Sequence, residues 1–234
     1  RDYGVAATFG PSRTVCVERP VGAGEHAEVM RENGNPFYAT VGFRVEPAGC
    51  GSGIRYVREL GALPLAFYRA IEETLHETFA QGLCGWEVTD CAVTLTHAGF
   101  NSVVSTAGDF RKLTPLVLMR ALSLAGTAVC EPIEELEIDL PEDTFGAVCG
   151  ALVNARATMR GASLDGASYR VVCAIPTAEL RSVEQQLPGL TRGDGSWVSR
   201  FAGYVPVAGE PPVRARIGPN PLNRAHYLAE VARA

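Results

Sequence analysis

Few residues in this sequence are placed to do covalent chemistry. Of 21 lysines and arginines the only lysine is Lys112, in Phe110-Arg111-Lys112-Leu113. A phosphate-binding P-loop needs a glycine-rich run before its lysine and Ser or Thr after it, because backbone N–H groups and the ammonium share the phosphate oxygens. Lys112 has neither, and no other lysine is present for a Schiff base or a kinase-type pair. The seven cysteines stand at 16, 50, 84, 91, 130, 149 and 173, with no C-x-x-C. In apolar or strand-like surroundings they read as buried free thiols of a reducing compartment. Histidines 26, 76, 97 and 226 show no H-x-x-x-H spacing and no cysteine companions, so no zinc site is expected.

Two runs resemble functional motifs without meeting their requirements. Gly49, Cys50, Gly51, Ser52 and Gly53 follow one strand and lead into another. Without a helix N-terminus they are no dinucleotide or phosphate cradle, and they lack the G-x-S-x-G of a nucleophile elbow. Seven acids lie between Glu131 and Asp143. On a strand Glu135, Glu137 and Asp139 share one face, which reads as a solvated acidic surface. A stand-alone α+β enzyme using the acidic cluster 131–143 is the rival reading from another class. A ferredoxin-like protein-interaction module with no RNA contact is a third. No catalytic residue and no metal are expected.

The loop over residues 98–108 carries more information. It joins a strand to a helix, and Phe100, Asn101, Ser102, Val103, Val104, Ser105 and Thr106 include no charged side chain. Such a tip can enter a crowded polar site, stack an aromatic ring on a base and use hydroxyls on phosphate or ribose. It can equally be an ordinary exposed connection.

The elements that must position this loop are legible from periodicity. Residues 5–9 and 14–17 read as a short strand pair. A polar stretch with glycines then runs to Pro36. Apolar Phe37, Ala39, Val41, Phe43 and Val45 alternate with polar neighbours, the period of a half-buried strand. With a strand over 54–60, residues 37–60 read as a hairpin with a glycine-rich tip. Pro64 opens a helix whose buried stripe is Leu65, Tyr68, Ile71, Leu75 and Phe79, and Gly82 stops it. A strand over 86–96 leads to the loop, and Thr106 and Asp109 have capping-box spacing at the start of a helix over 109–124. Residues 128–210 then read as βαββαβ, with Asp165-Gly166 as a hairpin turn, the ferredoxin-like arrangement. A Pro/Gly linker and a helix from about Asn220 close the sequence.

Composition sets the outer bounds. The 234 residues are 47% hydrophobic and 20% charged, with a net charge of −5. That is globular, long enough for one or two cores, and unlike a generic basic nucleic-acid binder. The charge is uneven, however. Residues 128–190 carry 4 basic and 10 acidic groups, and residues 191–234 carry 6 and 3. No signal peptide and no apolar run of membrane-spanning length is present. The chain opens on Arg1 without a methionine, as a fragment of something longer would.

Beyond spacing, the sequence resembles a family. Asn35-Pro36-Phe37-Tyr38-Ala39-Thr40-Val41-Gly42-Phe43, then Glu46-Pro47 and Gly51-Ser52-Gly53, resemble the first hairpin of domain IV in translational GTPases built like elongation factor G. Gln81-Gly82-Leu83-Cys84-Gly85-Trp86-Glu87-Val88-Thr89-Asp90-Cys91 and Ser102-Val103-Val104-Ser105-Thr106-Ala107-Gly108-Asp109-Phe110 are similar to the tetracycline-resistance ribosomal protection proteins, whereas elongation factor G lacks the Gly-Trp and Thr-Asp-Cys of the former and usually carries acids in the latter. Leu190-Thr191-Arg192-Gly193-Asp194-Gly195 and Gly203-Tyr204-Val205-Pro206 resemble domain V of both. The arginine-rich composition resembles the actinomycete oxytetracycline-resistance type.

The resemblance implies an α+β fold in two domains. Residues 1–20 would be the end of domain III and a connection. Residues 21–127 would be a ribosomal-protein-S5-like βαβ domain of domain IV type. Residues 128–210 would be a ferredoxin-like domain of domain V type, and 211–234 a linker and C-terminal helix. It implies a cytoplasmic, monomeric ribosome-binding fragment with no enzymatic activity of its own. Its tip, Phe100 to Thr106, would enter the small-subunit decoding region near its rRNA and dislodge tetracycline. The other domain would face the large subunit. Gly49, Cys50, Gly51, Ser52 and Gly53, with Gln81, Gly82, Leu83, Cys84, Gly85 and Trp86, are expected as neighbouring loops. GTP and Mg would belong to a separate G domain that drives release. The same region of an elongation factor G paralogue acting in translocation is the alternative. The studied branch has Pro at the position of Val103 and Tyr at that of Asn101. Proline stacking is therefore absent here, and Phe100 remains as the aromatic and Val103 as the apolar contact.

Overall fold

The computed structural model describes residues 14–58 and 63–231. The expected strand over 5–9 lies outside them. By internal contacts the chain divides into a larger unit, residues 16–130 with 204–231, and a smaller one, Glu131–Gly203.

The larger unit holds a four-stranded sheet covered by two helices, and two short strands that belong to a second sheet. Its strands are β1 (Val17–Pro20), β2 (Gly24–Glu28), β3 (Ala39–Pro47), β4 (Ile54–Arg58), β5 (Glu87–Val88) and β6 (Cys91–Phe100). Helices α1 (Leu65–Phe79) and α2 (Ala107–Ala125) complete it. The four-stranded sheet runs β2-β3-β6-β4. The alternation of β3 is fully expressed: Ala39, Val41, Phe43 and Val45 are all 0% exposed. They meet Ile71, Leu75 and Phe79 of α1 and Phe110, Leu113 and Val117 of α2 in one core.

Two details depart from the hairpin expected over 37–60. First, β3 and β4 do not pair. Both pair with β6, β3 antiparallel and β4 in parallel. β6 thus has its backbone paired on both edges, while its Cys91, Val93 and Leu95 are fully buried under the two helices. Second, the β3–β6 register slips between Gly42 and Phe43, whose partners are His97 and Leu95. The extra β6 residue, Thr96, reverses the inward phase, so Ala98 and Phe100 face the same side as Leu95. β2 lies in the stretch expected to be irregular, and Gly24-Glu25-His26-Ala27-Glu28 shows little alternation.

The smaller unit is the expected βαββαβ. β7 (Thr127–Pro141) begins in the larger unit, where it pairs with β1, and continues into the smaller. There it is followed by α3 (Phe145–Asn154), β8 (Thr158–Asp165), β9 (Ser168–Pro176), α4 (Thr177–Leu190) and β10 (Ser196–Pro206). β9 lies between β7 and β8, and β10 pairs with β7. Leu136, Ile138 and Leu140 pack against Val148, Leu152, Val183 and Leu187 of the helices. The chain leaves β10 and returns to the larger unit, ending in α5 (Arg224–Val231). Residues 211–231 are thus part of the larger unit, not an appended tail. β1, expected to belong to a preceding domain, pairs with β5 and β7 there too.

Candidate functional site

The tip is residues 101–106, between the end of β6 and the start of α2. Asn101 and Ser105 close it reciprocally: the Ser105 N–H donates to the Asn101 carbonyl at 3.0 Å, and the Asn101 N–H donates to Ser105 Oγ at 2.8 Å. The Asn101 side chain also accepts from the Val103 N–H at 2.9 Å, an Asx turn. Thr106 and Asp109 form the expected capping box, with both reciprocal bonds present. Val103 stands 88% exposed at the apex and Val104 is partly exposed beside it. The loop is thus braced by its own polar groups and presents an uncharged apolar point.

Phe100, expected as the aromatic contact, is packed on one side and partly exposed on the other. Its ring meets Phe67 edge-on with centroids 5.7 Å apart, and Phe67 stacks on Phe110 at 4.6 Å. The phase reversal at Thr96 turns it towards the helices. It buttresses the tip and keeps only part of its surface for a partner.

A second segment, residues 29–38, stands against the tip. The Ser105 hydroxyl donates to the Tyr38 carbonyl, and the Tyr38 N–H donates to Asp109 Oδ1 at 3.1 Å. Partial burial would raise the Asp109 pKa, but hydrogen bonds from Thr106, Tyr38 and its own backbone outweigh it and hold the carboxyl below its ordinary value. Buried Asn35 shapes the segment. Its side chain donates to the Val29 and Ala39 carbonyls, both at 3.1 Å, and accepts from the Phe37 N–H at 2.9 Å. The Arg31 guanidinium lies over the Tyr38 ring, 5.2 Å from its centroid. The Asn35-Pro36-Phe37-Tyr38 motif is visible in the sequence, but its place beside the tip is not. The signal available was Asn33-Gly34, a turn dipeptide that directs the chain back towards its neighbour.

The two loops expected beside the tip lie elsewhere. Residue Cys91 begins β6 and Phe100 ends it, and a strand of 10 residues spans about 30 Å. Gly49, Cys50, Gly51, Ser52 and Gly53 sit at the Cys91 end. The Gly53 N–H donates to the Asp90 carboxylate at 3.0 Å, and Asp90 pairs with Arg19 at 2.6 Å. Burial would raise the Asp90 pKa, but the Gly51 and Gly53 amides and Arg19 hold it low. Cys50 is exposed, unlike the thiol expected, and none of the seven cysteines is joined in a disulfide.

Gln81, Gly82, Leu83, Cys84, Gly85 and Trp86 also belong to this far end, on β5's approach to β1. The fully buried Glu18 carboxylate accepts from the Leu83, Cys84 and Trp86 N–H groups at 2.7, 2.8 and 3.0 Å, and from Thr127 Oγ1 at 2.8 Å. A Cβ on Gly82 would stand 2.6 Å from that carboxylate. The other side of the loop receives the returning chain. The Arg214 N–H donates to the Cys84 carbonyl at 2.9 Å, and the Gln81 amide exchanges bonds with the Ile217 backbone at 2.7 and 3.0 Å. The loop is occupied by this chain's own segment.

The acidic run is accounted for on the sheet of the smaller unit. Glu135 pairs with Arg200 at 3.0 Å, Glu137 and Asp139 with Arg170 at 3.2 and 3.0 Å. Arg156 makes a two-pronged contact with Glu131. Among the described residues no group of three or more His, Cys, Asp or Glu is placed to hold a metal.

The family model for elongation factor G, domain IV matches residues 15–126, and that for the elongation factor G C-terminus matches residues 128–215. The chain is 44% identical to an oxytetracycline resistance protein of Streptomyces rimosus over 98% of its length, covering 35% of that protein. It is 46% identical to the tetracycline resistance protein TetM of Streptomyces lividans over 85% of its length, covering 32%. TetP of Clostridium perfringens is 38% identical over 97%, covering 35%. The chain therefore spans about a third of the length of these curated relatives. A crystal structure from Thermus thermophilus superposes over 100% of this chain and 34% of its own, with TM-score 0.72 and 25% identity.

Proposed function

Because the chain belongs to the elongation-factor-G-like family and carries its domain IV and C-terminal modules, we propose that it is the ribosome-reaching part of a ribosomal protection protein against tetracycline. The larger unit presents residues 101–105, backed by 29–38, to rRNA in the small-subunit decoding region, and the drug is displaced there. Val103 and Val104 supply apolar contact, and Ser102 and Asn101 supply polar contact to bases and ribose. Hydrolysis of GTP with Mg in a G domain elsewhere in the parent releases the factor. The chain itself contributes recognition, not bond chemistry. The smaller unit faces the large subunit, and the setting is the cytoplasm, where ribosomes work.

The observation that carries this reading is the tip itself. It projects an uncharged apolar residue, 88% exposed, on a loop fixed by reciprocal hydrogen bonds. A phosphate-dense site would hold a basic loop by sequence-independent attraction. An uncharged, pre-ordered loop instead binds by shape and leaves readily. The relatives named for tetracycline resistance support the choice of ligand. The test is release of labelled tetracycline from ribosomes by the full-length parent, with and without residues 102–105. Release that survives the deletion overturns the assignment. A parent that promotes translocation without releasing drug would make it a translocation factor instead.

A further inference from the structure

We propose that Arg224, at the start of α5, is a positioning residue for the tip. This rests on the reading of residues 101–105 as the contact surface. The Arg224 guanidinium forms a two-pronged pair with Glu28, the last residue of β2, one prong measuring 3.0 Å. The same guanidinium donates to the Gly34 carbonyl at 3.1 Å. It thereby clamps both the entry and the bend of the 29–38 segment.

That segment gains from an external hold. Arg31, Asn33 and Gly34 all have positive φ, at 62°, 48° and 79°. Asn33 and Gly34 suit that region and form the turn, whereas Arg31 enters it at a cost of roughly 1 kcal/mol, which the Arg224 bond to Gly34 helps offset. From Gly34 the path to the tip is short and continuous. Asn35, adjacent, ties the segment to Val29 and Ala39. Tyr38 receives the Ser105 hydroxyl on its carbonyl and gives its N–H to Asp109. Ser105 closes the tip on Asn101. A shift of Gly34 is thus passed to the floor of the Val103 loop through a continuous series of hydrogen bonds.

α5 has a separate anchor that does not touch this path. Buried Tyr227 donates its hydroxyl to the Lys112 carbonyl of α2 at 3.0 Å. Tyr227→Phe loosens α5 without releasing Gly34, and so serves as the control for stability alone.

The experiment compares amide hydrogen exchange in the intact chain for Arg224→Ala, Arg224→Lys and Tyr227→Phe, with melting temperature measured alongside. In Arg224→Ala, exchange at Asn35, Tyr38, Asn101 and Ser105 should rise about tenfold more than at the β3 and β6 core. Arg224→Lys should recover part of that protection. Tyr227→Phe should lower the melting temperature without the local rise. If Arg224→Ala loosens these amides only in step with the core, or if Tyr227→Phe loosens them equally, the positioning role is overturned. The exchange is read without ribosomes. Loosened amides with undiminished drug release by the parent would therefore leave the positioning role standing and count against the tip as the contact surface.

Discussion

The indole nitrogen of Trp86 donates to the carbonyl of Pro212, 126 residues further along the chain, at 2.6 Å. Arg214 lies over the same ring, 5.2 Å from its centroid. Trp86→Phe keeps the ring and removes the bond, leaving the carbonyl without that donor. It should cost about 1–3 kcal/mol in denaturant unfolding of the whole chain. An unchanged midpoint would show that the returning segment is not held there.

Gly85 and Gly51 both have positive φ, at 82° and 78°. A Cβ at Gly85 would meet the Arg214 carbonyl at 2.0 Å, whereas one at Gly51 meets nothing within 4 Å. Gly51→Ala should cost only backbone strain, about 1–2 kcal/mol. Gly85→Ala should cost several kcal/mol, because the returning segment must also move. Equal melting temperatures for the two variants would contradict the docking.

Much of this was legible in the sequence, and the boundary is physical. The β3 alternation, the Thr106–Asp109 capping box and the Asp165-Gly166 turn are local, and each is present in the fold. The insertion of β6 between β3 and β4 is not local. Nor is the use of Gln81 and Trp86 as a seat for residues 212–217, which only the returning chain reveals. For the candidate site, residues 101–106 are legible because a strand-to-helix loop without charge is visible in one dimension. The place of Tyr38 beside Ser105, and of Arg31 over Tyr38, is not legible because it depends on the β3–β6 pairing.

Acid should loosen the base of the larger unit through Asp90. Its folded pKa lies below the ordinary carboxylate value, so the stabilisation is complete above about pH 4 and is lost as pH falls through the folded value. Asp90→Asn should lower stability at neutral pH and flatten the dependence below pH 4. A variant whose acid limb matches the parent's would rule out this carboxylate as its source.

Phe100→Ala should lower both stability and drug release. Removing a ring half buried against Phe67 costs about 1–3 kcal/mol. Val103→Ser, at an exposed apex, should leave the melting temperature within about 0.5 kcal/mol of the parent. It should still weaken drug release. The comparison separates buttress from contact; a Val103→Ser parent with full release would remove Val103 from the contact surface.

Glu135→Gln and Glu137→Gln should each change stability by less than about 1 kcal/mol, since both acids pair with partly exposed arginines. Calorimetric titration with Mg or Zn should show no heat that these substitutions abolish. Such heat would revive the acidic run as a site.

The smaller unit, Glu131–Gly203, is an interruption within the larger one. As the polypeptide emerges from the ribosome that makes it, β1 to β6 and both helices appear first. The partner of Trp86 and the clamp on Glu28 arrive last, with residues 204–231. The segment Glu131–Gly203 lies wholly before those residues in the chain. The tip should therefore acquire its final shape only at the end of synthesis, and a chain that ends before Pro212 would contain every strand and helix of the smaller unit but neither the partner of Trp86 nor the clamp on Glu28.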